Sequence, residues 1–399
     1  MLTDFTGGYL FHPAALEYSG NTCTNGCAYC FANINTNERE SKLKSAIKYF
    51  YKKDPVTYMD YLIHFGYPVC VSNRSDPFSK ANLLDTSALF THLAQLKNPI
   101  FIQTKCGDGM EDIISLLGDR RDVVIYITIT TINDDISRRV EPNAPVSSKR
   151  FEIAKKYHDA GYLVLIAPNP LTESWMPRGD LEVFQQTMRV AGLNHVCLEI
   201  LDMSRTRIKT LSDKKRQMMG EQALADCQSK AVFGYVRECT ESFIQNGFSV
   251  AKKGMPFRTT FFDDVKARLG KTMPVLQDFI NYCFDKKGDG PGVVVTYDEF
   301  EKVICQQEIF NARVEQNTLR GHLLRSGFDV WKDNQQVHSH KQLLRILWND
   351  PRGRLSIQNH CSLRVIGKNG TPEKDADGNV KMFFSGEPYF GKRKEVFEL

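Results

Sequence analysis

Short apolar runs alternate with helix-like segments throughout the first half of the chain. Each run has the length of a strand, is rich in branched and aromatic residues, and ends in polar or glycine-containing sequence. The five runs cover residues 67–73, 99–104, 123–130, 162–167 and 195–201. Parallel neighbours need a crossover connection, so strands that alternate with helices at this spacing predict a parallel α/β sheet. A sixth strand is predicted near residues 9–18.

Six βα units are compatible with a partial barrel, and the periodicity alone is equally compatible with an open, doubly wound sheet. Both architectures place binding residues at the carboxyl ends of the strands. Polar residues of this chain occupy such positions: residues 72–76, which include Ser75 and Asp76, follow the second strand, Lys105 ends the third, and Thr128 and Thr130 lie at the end of the fourth. Loop capping is the alternative role, because Ser, Asn and Asp are favoured in turns.

Three cysteines, Cys23, Cys27 and Cys30, lie within the segment NTCTNGCAYCF. Thiolates are soft ligands, and three of them on one short loop can bind an iron–sulfur cluster or a tetrahedral ion. A structural zinc site needs a fourth protein ligand, and no cysteine or histidine follows Cys30 before His64. Electron-transfer cubanes also use four cysteines, so three leave one iron open to a ligand that is not protein. Buried cysteines, a zinc site and a redox site are the alternatives.

The spacing Cys23-x-x-x-Cys27-x-x-Cys30, with Tyr29 before the last cysteine, resembles the signature of the radical S-adenosylmethionine (radical SAM) enzymes. The resemblance implies a [4Fe–4S] cluster held by these three cysteines and a partial (β/α)6 barrel. It also implies that S-adenosyl-L-methionine chelates the open iron and that its reductive cleavage gives a 5′-deoxyadenosyl radical. An electron donor similar to flavodoxin or ferredoxin is the implied partner.

Further segments resemble the spore photoproduct lyase branch of that family. They are SNRSDPF, FIQTK, ITIT, RRVEPNAP and AGYLVLIAPNPL, all in the first half of the chain. By this resemblance Ser75 and Asp76, Lys105, and Thr128 in place of a serine hold the methionyl and ribose parts of the cofactor. An ammonium group can pair with the cofactor carboxylate, and a hydroxyl can hydrogen-bond the ribose. Tyr29 is expected to pack beside the adenine.

One position departs from the lyase pattern. The lyases that split the thymine dimer have a cysteine two residues before the matched serine, where it returns a hydrogen atom to the product radical. Asn73 occupies that position here, and Cys70 lies three residues earlier on the predicted strand. An amide is a poor hydrogen-atom donor, so we expect this chain to share the cofactor site with the lyases and to differ in the reaction on the substrate. The sequence assigns no catalytic residue to that reaction.

The chain is predicted to divide into residues 1–201, 202–287 and 288–399. The first part is the barrel with the cysteine loop. The second part is expected to close the open side of the barrel, and it carries a basic run: Arg205, Arg207, Lys209, Lys214, Lys215 and Arg216. Such a run is usually a solvated face, and contact with phosphate is the alternative. A glycine-rich segment at residues 286–292 marks the start of the third part, an α+β accessory domain.

In the accessory domain, a helix capped by Thr296 and a second helix capped by Asn317 precede a predicted hairpin. This order resembles a winged helix-turn-helix, with Arg320, His322 and Arg325 on the candidate recognition helix. A helical accessory domain that binds no nucleic acid is the alternative, since nucleic-acid modules are commonly more basic. Near the end of the chain, GKNGTPEKDADGN predicts a hairpin with a long polar loop.

The composition predicts a globular protein of the reducing cytoplasm. Hydrophobic residues make up 42% of the chain, and no apolar run approaches the roughly 18 residues of a membrane span. The start of the chain lacks a basic segment followed by an apolar one, and the 11 cysteines form only one tight cluster. The net charge of +5 supports no strong statement about partners.

These features together predict a radical S-adenosylmethionine enzyme that abstracts a hydrogen atom from a nucleic-acid base, with thymine in DNA favoured. One alternative keeps the radical chemistry in an isomerase or mutase that acts on a small molecule or a modified nucleotide. An alternative from another class is a zinc- or cluster-stabilised nucleic-acid-binding protein without catalysis.

Overall fold

The structure is a computed structural model. It describes residues 14–16, 23–30, 69–71, 75–200, 203, 208–227, 231–252, 258–259, 263, 267, 276–305, 340–389 and 395–399. Several residues discussed above lie outside this part of the chain: Asn73, Arg205, Arg207, Asn317, Arg320, His322 and Arg325.

Seven parallel strands form one sheet. In chain order they are β1 (Ala14–Leu16), β2 (Val69–Val71), β3 (Ile100–Thr104), β4 (Val123–Thr128), β5 (Leu163–Ala167), β6 (His195–Leu198) and β7 (Ser249–Lys252). Their order in the sheet is their order in the chain, and every neighbouring pair is parallel. A doubly wound sheet reverses its direction of growth at a switch point, and this sheet has no such reversal. The α/β partial barrel is therefore confirmed, with no pairing between β1 and β7 in the described strands.

The six predicted strands are confirmed, and each of β1 to β6 lies inside its predicted range. The seventh, β7, is not predicted from the sequence, because its apolar part is the short run FSVA between Gly247 and two lysines. Tertiary pairing stabilises it instead: β7 lies parallel to β6 from the pair His195 and Ser249 to the pair Leu198 and Lys252.

Helices cover the outer face of the sheet, where Ile102 and Ile125 share one buried cluster with Phe90 and Phe184. The described helices that accompany the sheet are α1 (Leu83–Leu93), α2 (Met110–Ser115), α3 (Asp134–Val140), α4 (Ser147–Asp159), α5 (Arg178–Val190), α6 (Asp213–Met219), α7 (Glu221–Asp226) and α8 (Ala231–Gln245). Successive strand residues point to opposite faces, so neighbouring residues such as Phe101 face the other way. In the part of the chain that the structure describes, no helix is long and apolar enough to cross a membrane.

The inner face of the sheet is covered by the C-terminal part of the chain. Phe101, Val124 and Leu165 on this face belong to the same buried cluster as Phe279 and Trp348. The described C-terminal elements are α9 (Leu276–Lys287), β8 (Val293–Val295), α10 (Tyr297–Cys305), α11 (His340–Asn349), α12 (Pro351–Cys361), β9 (Leu363–Val365), β10 (Gly367–Lys368), β11 (Thr371–Pro372) and β12 (Met382–Phe384). This part of the chain is thus packed against the barrel sheet and is more than an appendage on a linker.

Helix α9 precedes the predicted domain boundary at residue 288, yet it packs against α10 and α12, which follow that boundary. Strands β8, β12 and β9 form an antiparallel sheet in that order. The division into three parts stays a prediction. The winged-helix interpretation also stays a prediction, because its candidate recognition helix lies outside the described residues.

The polar hairpin near the C-terminus has a shorter turn than predicted. Strands β10 and β11 pair across Asn369 and Gly370, whose φ angles are 51° and 72°. Positive φ at both central residues is the geometry of a type I′ turn, which Asn-Gly favours. The polar residues after β11 form a second turn, closed by a bridge between Lys374 and Val380.

Candidate cluster and cofactor site

The cysteine loop, residues 23–30, is attached to the segment that ends α3 and follows it. The Ala28 backbone N–H donates to the Val140 carbonyl at 2.8 Å, and the Asn143 side-chain amide donates to the Thr24 carbonyl at 2.8 Å. Gly26 has a φ of 66°, and a Cβ atom there would lie 3.3 Å from the Asn143 side-chain nitrogen. The left-handed conformation and the close neighbour both favour glycine at this position.

The three thiols on this loop are free, with Cys27 buried and Cys23 and Cys30 half-buried. Burial raises the pKa of the Cys27 thiol, and the charge of Lys105 opposes that shift. Burial also raises the pKa of the Cys23 thiol. Metals bind the thiolate form, so metal binding at this loop would release protons. Among the described residues, no three Cys, His, Asp or Glu side chains converge on one position that a single metal ion could occupy.

Asp76, which follows β2, accepts four hydrogen bonds from the protein. Its Oδ1 atom accepts from the Phe78 backbone N–H at 3.0 Å and from the Thr104 hydroxyl at 2.8 Å. Its Oδ2 atom accepts from the Asn25 side-chain amide at 3.0 Å and from the Lys105 backbone N–H at 2.7 Å. Asp76 therefore connects the cysteine loop, the loop after β2 and the end of β3.

Lys105 lies at the end of β3, next to a buried ion pair. Its Nζ atom is 3.9 Å from Glu141 Oε1 and 5.7 Å from the centre of the Tyr29 ring. Glu141 Oε1 also accepts hydrogen bonds from the Tyr29 hydroxyl and, at 2.9 Å, from the Thr130 hydroxyl. Glu141 Oε2 lies 2.6 Å from Nη2 of Arg150. The Lys105 side chain is 18% exposed, whereas the side chains of Glu141 and Arg150 are fully buried.

The charged groups of this network favour one another's ionised forms. Burial by itself would raise the pKa of Glu141, but Arg150 and Lys105 outweigh it and lower that pKa. Burial opposes the positive charge of Lys105 as well, but Cys27 and Glu141 outweigh it and raise the pKa of Lys105. The ammonium group therefore stays charged at neutral pH, which is the form that can pair with a carboxylate.

Ser75 and Thr128 have buried hydroxyl groups with no hydrogen-bond partner in the described part of the structure. The Thr128 backbone is held firmly, since its carbonyl accepts a hydrogen bond from Arg150 at 2.9 Å. A buried hydroxyl without a partner costs about 1–3 kcal/mol. A water or a ligand can satisfy such atoms in a native protein. Both residues are predicted cofactor contacts, and these hydroxyls fit that role.

Helices α6 and α7 cover the cysteine loop. Ala28 of the loop and Trp175 share a buried cluster with Met219 and Ala223 of these helices. The Trp175 ring centre is 5.8 Å from the Tyr29 ring centre, and its indole N–H donates to the Met219 carbonyl at 3.1 Å. Tyr29 therefore has Trp175 and Lys105 beside its ring, and its hydroxyl is bonded to Glu141. Its predicted contact with adenine stays a prediction.

Sequence reasoning missed two groups of polar residues at this end of the sheet. Glu141 and Arg150 form the first group, and the only available signal was that Glu141 lies in the segment RRVEPNAP. Asn169 and Glu199 form the second: the Asn169 side-chain amide donates to the Glu199 carboxylate and, at 3.2 Å, to the Tyr126 hydroxyl. Because Asn169 and Glu199 follow β5 and β6, a search of the carboxyl ends of these strands would have found them.

No family model matches this chain, and no curated protein matches it. Solved structures do match it. One is SuiB of Streptococcus suis, with a TM-score of 0.43 and 13% identity over 61% of this chain and 50% of SuiB. Another is spore photoproduct lyase complexed with dinucleoside spore photoproduct, with a TM-score of 0.43 and 12% identity over 60% of this chain and 74% of the lyase. A third is HydG, a maturase of the [FeFe]-hydrogenase, with a TM-score of 0.37 and 12% identity over 84% of this chain and 77% of HydG.

Spore photoproduct lyase is thus among the solved structures similar to this chain. This chain spans half the length of SuiB. At TM-scores below 0.5 the matches establish no shared activity or substrate, and the fold is established by the parallel sheet itself.

Proposed function

We propose that this protein is a radical S-adenosylmethionine enzyme in which Cys23, Cys27 and Cys30 hold a [4Fe–4S] cluster. The proposal rests on one arrangement: a loop with three free thiols lies at the carboxyl end of a parallel sheet, beside the charged Lys105. Three thiolates leave one iron of a cubane without a protein ligand, which is where a cofactor can bind. When bound, the cluster and S-adenosylmethionine supply reductive cleavage and hydrogen-atom abstraction.

The chain itself binds and orients the cofactor. The Lys105 ammonium, partly exposed and held beside Glu141, is the group that pairs with the methionyl carboxylate. The hydroxyls of Ser75 and Thr128, which have no partner in the described structure, are the groups that hydrogen-bond the methionyl and ribose parts. Helices α6 and α7 pack over Ala28 and shield that part of the loop from water. An oxygen-sensitive cluster of this kind fits the cytoplasm, with a flavodoxin- or ferredoxin-like protein as electron donor.

Metal analysis and cofactor turnover test this proposal. The protein purified without oxygen is expected to be brown, to contain iron and sulfide, and to cleave S-adenosylmethionine under dithionite. Changing any of Cys23, Cys27 or Cys30 to Ala should abolish the cleavage. Cys239 and Cys283 are buried in the protein core, so Cys239→Ala and Cys283→Ala serve as controls that should keep the iron content. A colourless protein that carries one zinc ion would support the non-catalytic alternative instead.

The substrate that we propose is a nucleic-acid base, with thymine in DNA ahead of RNA. The lyase-like motifs support this, and so does the basic run, whose Lys209 and Lys214 are exposed on the segment that covers the cysteine loop. A base inside a duplex must be extruded to reach a buried site, which requires a docking surface for the phosphates. An isomerase or mutase that acts on a small molecule or a modified nucleotide is the second candidate, because Asn73 replaces the lyase hydrogen donor.

Salt dependence distinguishes these substrates. If phosphates dock on the basic run, DNA affinity should fall steeply as the salt concentration rises. Lys209→Ala with Lys214→Ala should then make the slope of log affinity against log salt concentration shallower, by the contribution of up to about two charges. Cleavage of S-adenosylmethionine without substrate should survive this change. Lys155→Ala with Lys156→Ala, on the exposed surface of α4, is the control. DNA binding with an unaltered slope would remove the basic run from the proposal, and no DNA binding would favour a small substrate.

A further inference from the structure

We propose that Asp76 is a positioning residue that fixes the cysteine loop to the end of β3, and that it does not bind the cofactor. This inference rests on the proposed function. The resemblance implies that Asp76 contacts the methionyl group of the cofactor directly, and the positioning role replaces that contact.

All hydrogen-bonding positions of the Asp76 carboxylate are occupied by the protein. A carboxylate offers about four lone-pair sites, and Asp76 accepts four hydrogen bonds of 2.7 to 3.0 Å. Two of the four donors are backbone N–H groups, of Phe78 and Lys105, which cannot rotate away as side chains do. A cofactor ammonium group could bind here only by displacing one of these donors.

Three of the four donors come from distant parts of the chain. Asn25 on the cysteine loop is 51 residues from Asp76 in sequence, and Thr104 and Lys105 at the end of β3 are 28 and 29 residues away. The Oδ2 atom accepts from both Asn25 and the Lys105 backbone, so one oxygen connects the loop that carries the thiols to the residue that carries the ammonium. Asp76 thereby sets the spacing between cluster ligands and cofactor ligand.

Asp76 also shapes the turn from which Lys105 leaves the strand. The Thr104 hydroxyl donates to Asp76 and accepts from the Cys106 backbone N–H at 2.8 Å. Cys106 has a φ of 61°, in the left-handed region that non-glycine residues rarely adopt. The hydrogen bonds around Asp76 therefore stabilise a turn that the sequence alone disfavours, and the turn directs the Lys105 side chain towards Glu141.

The exchange Asp76→Asn tests the assignment, because an amide keeps the shape of the side chain but has only one acceptor oxygen. In reconstituted protein without S-adenosylmethionine, we expect this change to alter the electron paramagnetic resonance spectrum of the reduced cluster. The dissociation constant for S-adenosylmethionine should rise less than tenfold. Lys105→Ala should keep the full iron and sulfide content and should raise that dissociation constant more than tenfold. Asp112→Asn, on the exposed side of α2, is the matched control and should change neither quantity.

Either readout for Asp76→Asn can overturn the proposal. An unchanged cofactor-free spectrum would show that Asp76 does not position the cysteine loop, and a rise of more than tenfold in the dissociation constant would show that Asp76 binds the cofactor. If Asp76→Asn is insoluble, Asn25→Ala removes only the link to the cysteine loop, and we expect it to reproduce the spectral change. An unchanged spectrum in that variant would also overturn the proposal.

A double-mutant cycle separates this inference from the proposed function. Urea unfolding of cluster-free protein should show that Asn25→Ala and Asp76→Asn are not additive, because each breaks the same contact. This measurement does not require iron, sulfide or S-adenosylmethionine. If the wild-type protein binds no cluster, the proposed function fails while the cycle still reports on the contact. Additive effects would show that Asp76 does not act through Asn25.

Discussion

At the scale of single residues, the candidate site contains two kinds of polar side chain. The carboxylates of Asp76 and Glu141 are buried and bonded to protein donors. The hydroxyls of Ser75 and Thr128 are buried and have no partner in the described structure. A buried polar group costs free energy unless it is hydrogen-bonded. Protein donors therefore offset the burial cost of the first kind, and no described protein group does so for the second kind.

Lys105 is the charged residue of the site that we expect to contact the cofactor. Lys105→Ala should weaken S-adenosylmethionine binding by about 1.5–3 kcal/mol, the usual contribution of a charge-assisted hydrogen bond. Calorimetric titration of reconstituted protein measures this change. Lys149→Ala is the control, since that side chain is 59% exposed on α4. An unchanged dissociation constant for Lys105→Ala would move Lys105 to a structural or substrate role.

Gly107 allows the end of β3 to approach the loop after β2. A Cβ atom at Gly107 would lie 1.8 Å from the Phe78 carbonyl oxygen, too close for either backbone to stay in place. Gly107→Ala should lower the free energy of unfolding by about 1–3 kcal/mol, the usual cost of forced overpacking. Thermal unfolding measures this loss. Gly179→Ala is the matched control, because nothing lies within 4 Å of its added Cβ atom, and its Tm should not fall.

At the scale of secondary structure, α10 shows how a short sequence pattern determines where a helix begins. The predicted N-cap at Thr296 is confirmed: the Thr296 backbone N–H donates to Glu299 Oε2 at 2.9 Å, and the Glu299 N–H donates to the Thr296 hydroxyl at 3.4 Å. This reciprocal pair is a capping box. Glu299 also accepts hydrogen bonds from Tyr282 at 2.6 Å and from Lys286, both on α9. One carboxylate therefore caps α10 and attaches it to α9.

Acid should weaken this attachment. Burial by itself would raise the pKa of Glu299, but its bonds to Lys286, Tyr282 and the Thr296 backbone lower it below the usual value. The group whose pKa falls on folding contributes stability above its unfolded pKa, near 4.3, and that contribution is lost as the pH falls through the folded pKa. Urea unfolding of wild type should therefore lose stability below about pH 5. In Glu299→Gln this loss should be smaller, and an equally steep loss in the variant would contradict the assignment.

At the scale of the whole molecule, the C-terminal part of the chain is a structural partner of the barrel sheet. The inner face of the sheet would otherwise expose Phe101, Val124 and Leu165, which now share a cluster with Phe279 and Trp348. Each large apolar side chain that is fully buried contributes about 1.5–3 kcal/mol. The sheet therefore depends on α9 to α12 for much of its stability, whatever those helices bind.

Truncation tests this dependence. A chain of residues 1–275 should aggregate or bind a hydrophobic dye, because the inner face of its sheet is uncovered. The full-length chain is the control, and solubility with cluster content measures the outcome. A soluble truncated protein that still binds the [4Fe–4S] cluster would show that the C-terminal part is a separable accessory domain.

The sequence by itself determined those features that depend on neighbouring residues. The strands β1 to β6 follow from short apolar runs, the N-cap at Thr296 follows from a Thr and a Glu three positions apart, and the three-cysteine loop follows from spacing alone. Position at a strand end marked a set of polar residues, and the family resemblance singled out Ser75 and Thr128 among them as predicted cofactor contacts.

Only the tertiary structure decided the direction in which the sheet is wound and the presence of β7. It also decided how the C-terminal helices pack on the inner face and which groups contact Asp76 and Glu141. Each of these depends on contacts between residues far apart in the chain. Asn25 and Asp76 are 51 positions apart, and Tyr29 and Glu141 are 112 positions apart. A carboxylate in a sequence can bind a ligand, a metal or its own protein, and it is the position of the surrounding donors in space that selects among these roles.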